Sequence, residues 1–342
     1  MSVVDNAVYI DGRRSVEPES LNHTYEVLRE CPAGGRSFCW IGLLRPDADE
    51  IASVAREFGL HSLAVEDAVH AHQRPKLERY GETFFVVLRP ARYVDPVEVV
   101  ELSEVHLFIG PDFVITVRHA DEPNLAEIRK RLEQEPELLK HGPLAVLYSV
   151  LDRVVDDYEP VLLGLGGDID EIETQVFDGD PSASKRIYTL SREVIEFQRA
   201  VEPLREIFEQ LRERADDELM DVELARSFRD VEDHATRVLE RTESFRQLLM
   251  NVLTANAALV GQRQNDHITQ LSEMSYNQNE QVKRISAWAA ILFAPSLVGT
   301  VYGMNFDSIP ELGWQFGYPF ALALMVIFSA VLYMVFKRRG WL

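Results

Sequence analysis

Tyr302-Gly303-Met304-Asn305 closes a long apolar stretch, and a short acidic loop leads from it to a second apolar stretch. An asparagine in that place can turn a neutral amide oxygen toward a hydrated cation, and Gly303 lets backbone carbonyls approach for want of a side chain. Met304 offers only a thioether sulfur, a poor match for a hard cation, and reads as a packing residue. Asp307 and Glu311 in the loop would raise the local cation concentration, or would simply keep the loop soluble. The tetrad stands where the first apolar stretch meets water, which is where an ion would first meet a pore.

The elements that must position this tetrad are two membrane spans. The first runs from about Ile285 to Gly303 and the second from about Tyr318 to Phe336, with no charged side chain in either. Each is about 28 Å long as a helix, enough to cross a hydrocarbon core. Lys283 and Arg284 precede the first span, Lys337, Arg338 and Arg339 follow the second, and the loop between them has no Lys or Arg. The positive-inside rule then puts both termini in the cytoplasm and the loop outside. Trp314 and Tyr318 fall at interfacial depth. Two helices cannot enclose an aqueous path, so a conducting form must be an oligomer.

In steps of three and four, one stripe of the first span is Asn279, Val282, Ser286, Ala289, Phe293, Ser296, Thr300 and Gly303. It collects every Ser and Thr of the span and mostly small residues besides. Such a face marks a water-lined path or a helix–helix contact. In a path, Phe293, Val282 and nearby Ile285 would be apolar constrictions of the kind that gate by dewetting. The stripe extends back through Ser275, Ser272, Ile268 and Asn265, where Gln264-Asn265-Asp266 is echoed two heptads later by Gln278-Asn279-Glu280. Further upstream, Phe245, Leu248, Val252, Ala255 and Leu259 keep the same steps. The run from Val222 to Val260 has no Gly or Pro, so one helix is expected from about Val222 to Asn305, on the order of 120 Å. A heptad-bearing helix of that length is expected to bundle with copies of itself.

The rest of the chain reads as a soluble α/β part. Strands are expected at 83–88, 105–109 and 113–117, the last two joined by the Gly110-Pro111-Asp112 turn. A helix is expected over 51–58 behind an Asp47-Ala48-Asp49 cap. From Leu144 to about Leu211 the pattern is helical and acidic, broken at Asp178-Gly179-Asp180-Pro181, and two antiparallel helices are expected. The domain reading is 1–125 α/β, 126–215 acidic helical hairpin, 216–284 stalk helix, 285–305 pore helix, 306–317 external loop, 318–336 second span and 337–342 basic tail.

The net charge of −21 argues against nucleic acid as a partner and suits inorganic cations. Gly164, Gly166 and Gly167 lack the Lys-Ser or Lys-Thr of a phosphate loop, so no nucleotide is expected. His61, His70 and His72 lie near Glu66 and Asp67, but no general base or fixed ligand set accompanies them, and no enzyme is expected. Cys31 and Cys39 read as packing residues, and Met1 to Ile10 has no signal-peptide pattern.

With Pro295-Ser296-Leu297, Tyr302-Gly303-Met304-Asn305-Phe306, Pro310-Glu311-Leu312 and the basic cluster before Trp341-Leu342, the chain resembles the CorA family of magnesium channels, two-span proteins with a Gly-Met-Asn signature. In the soluble part the resemblance rests on Val65-Glu66-Asp67-Ala68, His72-Gln73-Arg74-Pro75-Lys76 and Phe228-Arg229-Asp230-Val231-Glu232-Asp233-His234. It implies a homopentameric funnel. An α/β cytosolic domain is followed by a very long stalk helix continuing into the first of two transmembrane helices. It also implies the plasma membrane, of the bacterial inner-membrane kind, as the location. Mg²⁺ would be the transported ion, with Co²⁺ and Ni²⁺ as passengers and no organic cofactor. The two-heptad echo lengthens the stalk relative to shorter members, and Asn279 is then the expected inner polar ring. The resemblance assigns regulatory Mg²⁺ to acidic residues at subunit contacts, here Asp67 and Asp230 with Glu66 nearby. Salt bridges to Arg229 or Arg74 are the alternative for those carboxylates. A transition-metal transporter of the same fold, such as one for Zn²⁺, or a non-conducting membrane-anchored metal sensor are the alternatives for the whole.

Overall fold

The computed structural model describes residues 3–18, 20–30, 37–71, 73–216, 220–305 and 310–342. The N-terminal half is built from strands β1 (Val3–Ile10) and β2 (Arg13–Val16), helix α1 (Leu21–Glu30), β3 (Ser37–Leu44), helices α2 (Ala48–Phe58) and α3 (Ser62–His70), and strands β4 (Lys76–Tyr80), β5 (Thr83–Leu88), β6 (Ala91–Val94), β7 (Val99–Leu102), β8 (Val105–Ile109) and β9 (Phe113–Arg118). Helices follow: α4 (Leu125–Glu133), α5 (Pro136–Leu139), α6 (Pro143–Asp156), α7 (Tyr158–Asp178), α8 (Ala183–Val201), α9 (Leu204–Asp216), α10 (Val222–Tyr302) and α11 (Gly317–Arg338).

Seven strands form one sheet in the order β2-β1-β3-β9-β8-β5-β4, parallel only between β3 and β9. One face buries Val8, Ile41, Phe85, Phe108 and Ile115 against Ile51 and Val54 of α2 and Ala64 and Ala68 of α3. The nearly continuous burial along β5, β8 and β9, rich in apolar residues, is the expected signature of strands covered on both faces. The three strands read from the sequence are present, with β9 one residue longer. The sheet also contains β1, β2, β3 and β4, which the sequence reading did not name.

Helix α2 ends at Phe58 as expected and starts at Ala48, three residues before the expected Ile51, with Asp47 as its cap. The Asp47 carboxylate accepts from Glu50 N at 2.8 Å and Glu50 accepts from Asp47 N at 3.2 Å, a capping box, while Gly59 at φ 65° closes the other end. Over 144–211 the expected pair of helices is instead the run α6 to α9. The extra breaks come at Pro160 and Pro203, whose rings lack the N–H a helix interior needs and are tolerated only near a helix start. Two of the three glycines of α7 admit close neighbours. The Tyr93 ring fills the place a Gly164 Cβ would take, and a Cβ on Gly166 would stand 3.3 Å from Phe245.

The small β6–β7 ribbon rests on α7 and α8, clasped by Arg186. Its guanidinium is 2.9 Å from Glu98, 3.3 Å from Asp168 and 2.8 Å from Glu171, and Tyr93 also bonds Asp168. Burial pushes the Asp168 carboxyl above its ordinary range despite the arginine.

The chain divides into two compact units, Met1–Ala257 and Ala258–Leu342. Helix α10 belongs to both. Within the first unit its buried positions are Leu224, Phe228, Val231, Ala235, Val238, Thr242, Phe245, Leu249, Val252 and Asn256, an unbroken alternation of four and three. The sequence stripe through Leu248 and Ala255 is displaced by one residue from this ladder. Leu249 and Asn256 take the buried places, and Asn256 donates to Ser184 of α8 at 2.7 Å.

Candidate functional site

The 81-residue helix α10 contains Pro295, which has no N–H to give the Ile291 carbonyl. Ser329 of α11 supplies a donor there, its hydroxyl 3.4 Å from Ile291 O. Trp288 meets Tyr333 at 6.5 Å between ring centroids. In hydrocarbon an unpaired carbonyl is expensive, so the hydroxyl on the second span matches the gap in the first. Among the described residues two helices are long and apolar enough to cross a membrane, α10 in its C-terminal part and α11.

Ala287, Ile291 and Ala294 are the buried residues of α10 here, and the Ile291 carbonyl among them meets Ser329 of α11. Every member of the expected stripe is exposed: Asn279, Val282, Ser286, Ala289, Phe293, Ser296, Thr300 and Gly303. At 3.6 residues per turn the centres of the two sets lie about 150° apart on the helix. Ile285 is also exposed, on the flank beside Leu292. Thr300 donates its hydroxyl proton to Ser296 O at 2.8 Å, which leaves its oxygen lone pairs facing outward to accept.

The helix ends at Tyr302, short of the expected Asn305. Gly303 N still bonds Gly299 O at 2.9 Å and Met304 N reaches Val301 O at 3.4 Å, but Asn305 has left the helix. Gly303 is the weakest helix former of that turn, and the turn opens at it. A Cβ there would stand 3.2 Å from Gly299 O. Asp307 and the side chain of Glu311 lie outside the described residues.

The soluble carboxylates expected to hold a regulatory ion are placed in different surroundings. Asp67, in the last turn of α3, bonds Lys76 Nζ at 2.8 Å. Within the chain, among the described residues, neither Arg74 nor Arg229 pairs with it. Glu66 is exposed, and its carbonyl bonds the His70 ring at 2.9 Å. Asp230 is exposed on α10. It acts on the half-buried Asp152 of α6, whose carboxyl is pushed up first by burial and then by Asp156. Among the described residues no group of three or more His, Cys, Asp or Glu side chains is gathered to hold a metal.

The histidines have local work. His61 caps α3 by accepting from Leu63 N at 3.3 Å and stacks on Tyr80 at 4.3 Å. His72 and Cys31 lie outside the described residues, while Cys39 is buried and its thiol is held far above its ordinary range by burial. Two contributors were missed in the sequence. Lys76 shares one face of β4 with Glu78 and Tyr80 by simple alternation, and Ser329 is the one hydroxyl of Ser or Thr in the second span.

A model of CorA-like Mg²⁺ transporter proteins matches residues 35–338. The "Cobalt/magnesium transport protein CorA" of Thermotoga maritima is 28% identical over 345 aligned positions, covering 96% of this chain and 93% of that protein. The solved CorA magnesium transporter of Methanocaldococcus jannaschii aligns over 100% of both chains at 18% identity with a TM-score of 0.55. The full-length CmaX protein aligns over 99% of this chain and 98% of its own at 19% identity and a TM-score of 0.61. At those identities the two structures speak for the fold.

Proposed function

The chain belongs to the CorA family of divalent cation transporters, and from that premise we propose that it is a homopentameric channel carrying Mg²⁺ into the cytoplasm. Co²⁺ and Ni²⁺ would follow the same path. The observation that carries the reading is the exposure of the whole Asn279–Gly303 stripe on the side of α10 turned away from α11. Five copies around an axis would bring five such stripes together and leave the apolar flanks and α11 to lipid.

Mg²⁺ sheds water reluctantly, so a filter works best on the hydrated ion. Asn305, released from the helix, can turn its amide oxygen toward that hydration shell. Gly303 opens backbone carbonyls beside it. A neutral ring lets the ion leave, where a carboxylate ring would hold it. Asn279 would form the inner polar ring, with Val282, Ile285 and Phe293 as apolar narrowings and Ser286, Ala289, Ser296 and Thr300 between them. Met304 packs behind the filter. Asp307 and Glu311 gather cations outside. With both termini cytoplasmic, an inside-negative membrane drives a divalent ion inward by about 4.6 kcal/mol per 100 mV.

For gating, Asp67, with Glu66 nearby, and Asp230 would face each other across a subunit contact. Facing carboxylates repel unless a cation stands between them. Cytosolic Mg²⁺ would then favour the closed assembly by linkage.

Mg²⁺ influx into proteoliposomes under an inside-negative potential tests the channel. Wild-type protein should conduct and Asn305→Ala, still assembled, should lose most of the flux. Assembled wild-type protein without Mg²⁺ flux, but carrying Zn²⁺, would replace this reading with a transition-metal transporter.

A further inference from the structure

Asp67 already has a cation. Lys76 Nζ lies 2.8 Å from its Oδ2 and 2.8 Å from Glu78 Oε2, and both Lys76 and Asp67 are only 27% exposed. The ammonium also stands 5.7 Å from the centre of the Phe85 ring. Glu78 is fixed in turn by the Tyr80 hydroxyl at 2.9 Å, and Tyr80 stacks on His61, the residue that caps α3. Strand β4 therefore grips α3 at both ends, by Tyr80 at its start and by Lys76 at its last turn. This is not a loose surface pair, whose two ends wander in solvent. Two carboxylates, an aromatic face and partial burial hold the ammonium.

A divalent ion arriving at Asp67 meets that positive charge at close range. It binds only if the ammonium withdraws. Lysine suits such a withdrawal, because its charge rides on a flexible four-carbon stem and Glu78 remains to receive it. Two arrangements result: Lys76 bridging Asp67 and Glu78 without the ion, and Lys76 on Glu78 alone with it.

We propose that Lys76 is a tethered competitor for the cation at Asp67 and sets the Mg²⁺ concentration at which the closed assembly forms. The inference rests on the gating reading above, and deepens it by naming what the ion must displace. Removing the ammonium should tighten regulatory binding, because a like charge within several Å of a divalent ion is worth about a factor of ten even in a highly screened setting.

The test is Mg²⁺-dependent protection of the full chain from limited proteolysis, in detergent, with thermal melting as a check on folding. Lys76→Met should move the protection midpoint to about tenfold lower Mg²⁺. Lys76→Gln should do the same, and serves if the methionine variant fails to fold. Lys76→Arg keeps the charge and should stay near the wild type. A midpoint that is unchanged or raised in both neutral variants, or lowered equally by arginine, overturns the proposal. Asp67→Ala separates the two levels. If it weakens protection while the neutral Lys76 variants do not shift the midpoint, the competitor role alone is wrong. If Asp67→Ala leaves protection intact, the gating reading fails, and the role of Lys76 fails with it.

Discussion

The two compact units solve the burial problem in opposite ways. The first, Met1–Ala257, packs a core of large apolar side chains within its own chain. Tyr158, Phe197 and Phe208 are essentially inaccessible, and Tyr158 and Phe197 meet edge to face at 5.3 Å. In the second, Ala258–Leu342, Leu292 is 72% exposed and Phe293 67% exposed, and the buried residues among those described are Ala287, Ile291, Ala294 and Gly317. The difference lies in the solvent each is built for. The first buries its core residues within its own chain, as burial away from water favours. The second leaves its apolar flanks for lipid and its small polar stripe for something else, and the stripe opposite α11 has the composition of a path or a contact between copies.

Equal truncations in the two units sharpen that contrast most. Phe197→Ala should destabilise the soluble unit by about 3–5 kcal/mol, through lost burial and an unfilled cavity. Leu292→Ala removes a comparable apolar side chain and should leave the same unfolding transition of the detergent-solubilised protein where it was. A large shift from Leu292→Ala would break the comparison.

A smaller effect belongs to the hydrogen bond between Ser329 and the first span. Ser329→Ala leaves Ile291 O without its donor beside Pro295. The expected cost is about 1 kcal/mol, as for other interhelical hydrogen bonds in membranes. Thermal aggregation of the solubilised protein should report it, and Ser329→Thr should restore the wild-type value.

The smallest effect is one of pH. Burial and Asp156 hold the Asp152 carboxyl above its ordinary value. A carboxyl raised on folding opposes folding once ionised, and that opposition is absent below the unfolded value near 3.9. Asp152→Asn should therefore stabilise the soluble unit slightly at pH 7.5. The advantage should fade as the pH falls to about 4, seen by melting both proteins across that range.

The membrane half was legible because its signals are local. Uncharged runs of about the right length, flanking bases and the tetrad need no tertiary context. The stripe of Asn279 to Gly303 could be written from spacing alone, and its members are exposed together. The soluble half was less legible because its determinants are distant in sequence. Strand β3 is covered on both faces and has no alternation to betray it, and β1 finds its place only by pairing with it. The breaks before α7 and α9 were readable at Pro160 and Pro203. The Asp67–Lys76 pair was half readable. Alternation along β4 puts Lys76 beside Glu78, but only the packing of α3 brings Asp67 to them.

The central claim is that the face of α10 turned from α11 lines the ion's path. Single cysteines in a background with Cys31→Ser and Cys39→Ala test it directly, in proteoliposomes in magnesium-free buffer. Ala289→Cys and Ser296→Cys should react with a small hydrophilic thiol reagent much faster than Ala287→Cys and Ala294→Cys on the α11 side. Equal rates on both faces, or reaction confined to the α11 side, would contradict the account.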